Sequence, residues 1–212
     1  MTPCVPPDQE QRFAILLYTM QKIVKRLFDI IFASLAILAL LPVWLILCIW
    51  IAVTSPGGVF FRQKRTGYRG QEFDMLKFRS MYVNSDADTR QAGSNDPRVT
   101  PVGRFLRKSS LDELPQLLNI VTGDMSVIGP RPHMIMHTEY YAPRIPDYMR
   151  RHDMRPGLTG LAQVRGFRGP TPRLEDMADR VKADLEYVDT FSLWLDLKIF
   201  TTTVWKTITL RL

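Results

Sequence analysis

Ile30-Ile-Phe-Ala-Ser-Leu-Ala-Ile-Leu-Ala-Leu-Leu-Pro42-Val-Trp-Leu-Ile-Leu-Cys-Ile-Trp-Ile-Ala-Val53 is a charge-free run dense in large apolar residues. Its length meets the requirement for a membrane-crossing helix. Pro42 sits near the middle, and a proline removes one helical hydrogen bond and clashes with the preceding turn. The sequence therefore predicts a break there, leaving two halves of about twelve residues, each roughly 18 Å long and short of a ~30 Å hydrocarbon core. The flanks are basic on both sides: Lys22, Lys25 and Arg26 before, Arg62, Lys64, Arg65 and Arg69 after. Basic flanks favour the cytoplasmic side, so both ends want the same face. A helix that enters, turns at Pro42 and leaves through one leaflet meets both conditions. A straight span kinked at proline is the alternative, since membrane helices tolerate proline. Asp29 is expected at headgroup depth, paired with Lys25 or Arg26.

Upstream, residues 1–21 hold three prolines by residue 7 and a short apolar patch, Phe13–Tyr18. The signature of a secretory signal is missing: Arg12 is the only basic residue before the patch, and no small-residue cleavage site follows. The segment is expected to be disordered or to lie on a membrane surface. The 212 residues carry a formal net charge of +7, which calls for an anionic partner such as nucleic acid, anionic lipid or a phosphorylated substrate. Two cysteines, Cys4 and Cys48, cannot build a disulfide framework.

Downstream, Ser55-Pro56-Gly57-Gly58 marks a turn. Val59–Arg65 and Phe73–Met81 read as two strands around the turn-rich Thr66–Gly70. Lys77 and Arg79 are two apart, so on a strand they share a face and suit a diphosphate. Residues 84–97 are polar and turn-rich, a loop over a site or a surface excursion. Lys108–Pro130 then carries two adjacent acids, Asp112 and Glu113. Ser110–Glu113 fits a capping box, Pro115 falls in the first turn, and Leu114, Leu117, Leu118 and Val121 form one stripe ended by Gly123. On that reading the acids open a helix at its positive end, a place that favours anions. They serve equally well as ordinary caps. In Gly129-Pro130-Arg131-Pro132 the two prolines hold one guanidinium fork, which suits phosphate oxygens. His133 and His137 have helical spacing but no further ligand completes a zinc signature. Tyr140–Arg151 mixes aromatic and basic residues and reads as interfacial. Arg155–Gly160 is a glycine-containing loop, Leu174–Val188 a charged helix, and Phe191–Leu212 an amphipathic stretch suited to an interface or to the core.

Five motifs in order are similar to the bacterial sugar transferases, the monotopic polyprenyl-phosphate phosphoglycosyl transferases. They are Lys-Phe-Arg-Ser-Met at 77–81, Leu-Asp-Glu-Leu-Pro-Gln at 111–116, Gly-Asp-Met-Ser-Val-Ile-Gly-Pro-Arg-Pro at 123–132, Arg-Pro-Gly-Leu-Thr-Gly at 155–160 and Leu-Asp-Leu-Lys at 195–198. The resemblance runs from about Lys22 onward. It implies an α+β monotopic membrane protein with a re-entrant helix turning at Pro42, a small β-hairpin and interfacial amphipathic helices. The implied division is an N-terminal segment at 1–21, the membrane helix at 22–54 and a cytoplasmic catalytic domain at 55–212, in the short, catalytic-domain-only form. The implied reaction moves a sugar 1-phosphate from a UDP-sugar to undecaprenyl phosphate and releases UMP, at the inner face of the bacterial inner membrane, as a first step in assembling exopolysaccharide or a related glycan. By resemblance Asp112 and Glu113 are the catalytic pair, with Asp112 the nucleophile and a ligand of Mg²⁺. Arg131, Arg107, Lys77 and Arg79 are assigned to phosphate, and Pro42, Asp29, Lys25 and Arg26 to membrane topology. Leu161 departs from the tryptophan common at that place. The stretch Arg168-Gly169-x-Thr171 and the helix after it resemble transferases of glucose 1-phosphate, so glucose or galactose is the sugar expected.

Two other classes accommodate parts of the chain. A membrane-tethered nucleic-acid-binding protein accounts for the charge but lacks a binding module. A membrane scaffold accounts for the apolar run but gives Asp112-Glu113 and the Gly-Pro-Arg-Pro turn nothing to do. No nucleic-acid partner is expected.

Overall fold

A computed structural model describes residues 9–83 and 96–209 of the chain. Cys4, most of the proline-rich start and residues 84–95 of the expected loop lie outside the described residues. The architecture is mixed α and β, built on one long helix, α1 (Gln9–Thr54).

Residues 9–54 contain no glycine and one proline, so little opposes helix along 46 residues. The expected break at Pro42 does not occur: Pro42 sits inside one continuous helical element. The reason is packing on both sides of it. Lys25, Asp29, Ala33, Trp44, Leu47 and Ile51 are the buried positions of α1 and recur on one face before and after the proline. Ala33 joins a core with Leu117, Ile120, Met125 and Ile199, while Trp44, Leu47 and Ile51 join Phe78, Val102 and Leu106. Loss of one backbone hydrogen bond is a smaller matter than the burial of these side chains. The opposite face leaves Leu27, Ile31, Leu35, Leu38, Leu45, Ile46, Ile49 and Val53 exposed, and α1 is long and apolar enough to cross a membrane.

Lys25, Arg26 and Asp29 of α1 bond to the fold, which corrects the expected pairing of Asp29 with Lys25 or Arg26. Lys25 Nζ reaches Asp196 Oδ2 at 2.7 Å. Arg26 donates to the carbonyls of Ile120 and Val121 at 2.6 and 2.9 Å. Asp29 pairs with neither of them through a hydrogen bond; its Oδ1 accepts from the Val127 amide at 2.9 Å, deep in the protein. The carboxylate of the adjacent helix thus satisfies a buried strand amide.

The expected hairpin forms, with β1 (Phe60–Thr66) antiparallel to β2 (Glu72–Phe78) and Phe60 opposite Phe78. It ends at Phe78, short of Met81. Helix α2 (Pro101–Lys108) is capped by Thr100, whose hydroxyl accepts from the Gly103 amide at 2.9 Å. A 3₁₀ turn (Leu111–Glu113) and α3 (Gln116–Thr122) follow. Strand β3 (Ser126–Ile128) pairs in parallel with β5 (Gly157–Thr159), and β4 (His133–Met134) adds to β1. Short helices α4 (Ile135–Tyr141) and α5 (Leu161–Val164) lead to α6 (Leu174–Asp189) and α7 (Leu193–Ile208). Helix α7 presents Trp194, Leu197, Val204, Trp205 and Ile208 to the outside. Its Phe200 meets Phe28 and Phe32 of α1 at centroid distances of 6.0 and 5.3 Å, so two exposed apolar helix surfaces lie side by side.

Candidate active site

The predicted capping box does not form. Ser110 takes a left-handed backbone (φ 57°) without a side-chain cap, and the acids lie on the 3₁₀ turn rather than in the first turn of α3. Pro115 stands at the N-terminal boundary of α3, and Gly123 ends it at φ 100° as expected. Glu113 is drawn away from any capping role by two cations. Lys77 Nζ lies 2.9 Å from its Oε1, and Arg131 grips it with Nη2 at 2.5 Å from Oε1 and Nη1 at 3.3 Å from Oε2.

Two distant links hold this arrangement. Asn119 of α3 acts as a strand edge for β2: its Oδ1 accepts from the Leu76 amide and its Nδ2 donates to the Asp74 carbonyl, both at 2.9 Å. That keeps Lys77 beside the acids. Arg131 is set by backbone. A Cβ added at Gly157 would meet Gly129 N at 2.1 Å, and one at Gly160 would meet Gly129 O at 2.2 Å. The Gly-Pro-Arg-Pro and Arg-Pro-Gly-Leu-Thr-Gly motifs therefore lie in backbone contact that only glycine permits. Arg151 then donates to the Arg131 carbonyl at 2.7 Å, and Asp184 holds Arg151 from below at 2.6 and 3.0 Å. This buried pair was hidden in a stretch read as interfacial. Its signal would have been an Arg and an Asp spaced too far apart in sequence for any local pattern.

Asp112 contrasts with Glu113. It is buried and makes no side-chain hydrogen bond to a described residue. Burial raises its pKa above the usual carboxylate range; Lys77, Arg107 and Arg131 pull it down again, while Glu113 pushes it up. For Glu113 burial also pushes upward, but Arg131 and Lys77 outweigh it and hold the group well below the ordinary range. The result is one carboxylate locked in an ion-pair network and one left open beside it.

Lys77, Arg107 and Arg131 thus gather round the acids. Arg79 does not. It lies past the end of β2, where its guanidinium donates to the carbonyls of Pro56 and Ser55 at 2.7 and 2.5 Å and ties the end of α1 to the hairpin. The same-face argument failed because the strand stops at Phe78. His133 and His137 meet edge to face at 6.4 Å, and His133 Nδ1 lies 2.6 Å from the Tyr148 hydroxyl, so that pair is packing. Among the described residues no three potential metal ligands cluster. An open carboxylate still suits Mg²⁺, which is commonly held by one or two carboxylates together with substrate phosphates and water.

The bacterial sugar transferase family model matches residues 20–210. A UDP-glucose:undecaprenyl-phosphate glucose-1-phosphate transferase of Caulobacter vibrioides is 51% identical over 181 residues, 85% of this chain and 68% of the relative. One of the same description from Escherichia coli is 49% identical, with 87% of this chain aligned to 40% of the relative. The exopolysaccharide production protein PSS of Rhizobium leguminosarum bv. phaseoli is 44% identical over 87% of this chain and 95% of its own length. The chain thus spans about two fifths of the Escherichia coli relative and most of the Rhizobium one.

Proposed function

The chain belongs to the bacterial sugar transferase family, and from that premise we propose that it transfers glucose 1-phosphate from UDP-glucose to undecaprenyl phosphate, releasing UMP. The observation that carries this reading is the asymmetry of the acid pair: Asp112 is open and ringed by cations, whereas Glu113 is fully engaged. A carboxylate oxygen is a competent nucleophile toward phosphorus when cations neutralise the phosphate charge. Asp112 attacks the sugar-bearing phosphorus, an oxygen–phosphorus bond forms, and the bond to UMP breaks. The phosphate oxygen of the lipid then attacks the same phosphorus and returns Asp112 as a carboxylate. Lys77 and Arg131 hold Glu113 so that its charge does not oppose the incoming phosphates, and Arg107 faces Asp112. Mg²⁺, held by Asp112 and the donor's phosphates, would supply charge neutralisation at the diphosphate. The names of the relatives support glucose as the sugar.

The test is a panel of UDP-sugars offered with undecaprenyl phosphate and scored by UMP release. UDP-glucose should be turned over fastest, EDTA should stop the reaction, and Mg²⁺ should restore it. Without acceptor, UDP-glucose should leave a phosphohexose mass on the peptide containing Asp112. Turnover undiminished in EDTA would remove the metal from the scheme, and no UMP from any donor would remove the scheme itself.

The membrane seat follows the same reading: the protein is monotopic, on the cytoplasmic face of the inner membrane. The buried stripe of α1 stays on the globular part from Lys25 to Ile51, which favours a helix held with the globular part on one face of the membrane over one that departs across the bilayer. A cysteine at Glu10, in a Cys4→Ser and Cys48→Ser background, should resist an impermeant thiol reagent on intact cells. Strong labelling would place the N-terminus across the membrane.

A further inference from the structure

The segment between α5 and α6 carries an arginine to which the acid-pair mechanism gives no part. Arg168 stands between two glycines with left-handed backbone, Gly166 (φ 94°) and Gly169 (φ 85°), and a Cβ at either would meet nothing within 4 Å. Its amide closes a tight turn on the Gly166 carbonyl at 2.8 Å. The rest of the segment is tied to the wall behind Arg131. Arg180 of α6 donates to the Gly169 carbonyl at 2.8 Å, and the Tyr141 hydroxyl donates to the Thr171 carbonyl at 3.3 Å. One helical turn after Arg180, Asp184 holds Arg151, which in turn holds the Arg131 carbonyl. The turn bearing Arg168 is thereby brought over the site from the side of α6.

The exposed Arg168 guanidinium lies within electrostatic reach of Arg131 and Glu113 but makes no hydrogen bond or ion pair with a described residue. Glu113 is already held by Lys77 and Arg131. By contrast, Arg165 and Arg173 in the same segment are matched to Glu186 and Asp176. A cation placed beside another cation, with its nearest carboxylate already occupied, is arranged for an anion that arrives from outside. Two anions reach this site on the reading above, the donor diphosphate and the lipid phosphate. The segment presents no exposed large apolar side chain between Arg165 and Arg173, whereas the apolar surface lies on α1 and α7. That composition suits a water-borne ligand.

We propose that Arg168 is a donor-binding residue, presented to the nucleotide diphosphate opposite Arg131 by the turn that Gly166 and Gly169 permit. The proposal rests on the donor being a nucleotide diphosphate sugar. A charge-assisted hydrogen bond to phosphate is a strong one, so Arg168→Gln should raise the KM for UDP-glucose about tenfold and weaken inhibition by UMP by about the same factor. The KM for undecaprenyl phosphate should stay within about twofold. Arg168→Lys, a point charge without the fork, should recover part of the loss. Arg165→Gln, on the same segment but outside the site, should leave all three values unchanged. A rise confined to the lipid KM would reassign Arg168 to the acceptor, and no change in any value would end the proposal. Calorimetric titration of UDP into wild type and Arg168→Gln decides the same point without turnover. If no donor is turned over, the function proposed above falls; equal UDP affinity in the two proteins is the result that overturns the role of Arg168.

Discussion

Charge is used in opposite ways at the root of α1 and at the acid pair. Around α1 the ionic groups are consumed by the fold: Lys25 by Asp196, Arg26 by the carbonyls ending α3, Asp29 by a strand amide. At the other region Asp112 has no hydrogen-bonded partner among the described residues, and Arg107 and Arg168 lie within electrostatic reach of Asp112 and Glu113 respectively without pairing to them. Buried charge costs free energy unless it is paired, so the buried, unpaired Asp112 is the group that marks a place for a ligand. The contrast separates residues that hold the protein together from residues that act, although both kinds occur within motifs of the same resemblance.

The largest effect that sharpens this contrast belongs to the open acid. Asp112→Asn keeps shape and removes the nucleophile, so turnover should fall by roughly 10³-fold or more, with circular dichroism and the unfolding transition showing an intact fold. Near-normal turnover would transfer the nucleophilic role elsewhere and erase the distinction between the two regions.

The next effect is the mirror image. Asp196 receives both Lys25 at 2.7 Å and the Tyr187 hydroxyl at 2.8 Å. Asp196→Ala leaves Lys25 buried without its carboxylate, a loss of roughly 3–5 kcal/mol for a broken buried pair. Thermal unfolding in detergent should then come at least about 6 °C earlier, with KM for the donor unchanged in the molecules still folded at low temperature. A variant as stable as wild type would show that the α1 pairs are dispensable and that the contrast lies only in geometry.

How far such pairs are legible in sequence depends on distance along the chain. The hairpin, the Gly123 stop and the two C-terminal helices rest on local patterning and form close to where it places them. Asp112, Glu113 and Arg131 were marked by motif, and Lys77 by alternation along a strand. The partner of Lys25 lies 171 positions away and that of Asp29 lies 98 away, so the nearest charges in sequence were the wrong ones. Pro42 follows the same rule: intrinsic propensity favours a break, and the packing that overrides it comes from α2, α3 and the hairpin. Arg79 shows the limit of alternation, because the rule ends where the strand ends.

The smallest effect tests the state of Asp112 itself and sets it against its neighbour. Burial raises the pKa of Asp112 in the folded protein, whereas the Arg131 and Lys77 pairs hold Glu113 low. The signs of linkage are therefore opposite. The folded protein binds a proton at Asp112 more tightly than the unfolded chain does, so ionisation of Asp112 costs stability above its folded pKa, and the penalty disappears below the unfolded value. Glu113 contributes stability above its unfolded pKa and loses it as pH falls through the folded one. Asp112→Asn removes a penalty, so near pH 7 it should unfold at a higher temperature than wild type, and the two curves should converge as the medium is acidified. Glu113→Gln should do the reverse, unfolding earlier at neutral pH and approaching wild type in acid. Activity gives the companion reading: Asp112 must be ionised to attack, so the acid limb of kcat/KM should lie above the ordinary carboxylate range. Arg107→Gln, which removes one of the charges favouring the carboxylate, should move that limb to higher pH. If Asp112→Asn proves less stable than wild type at neutral pH, Asp112 is held by interactions of its own, and the open acid ceases to differ from the locked one.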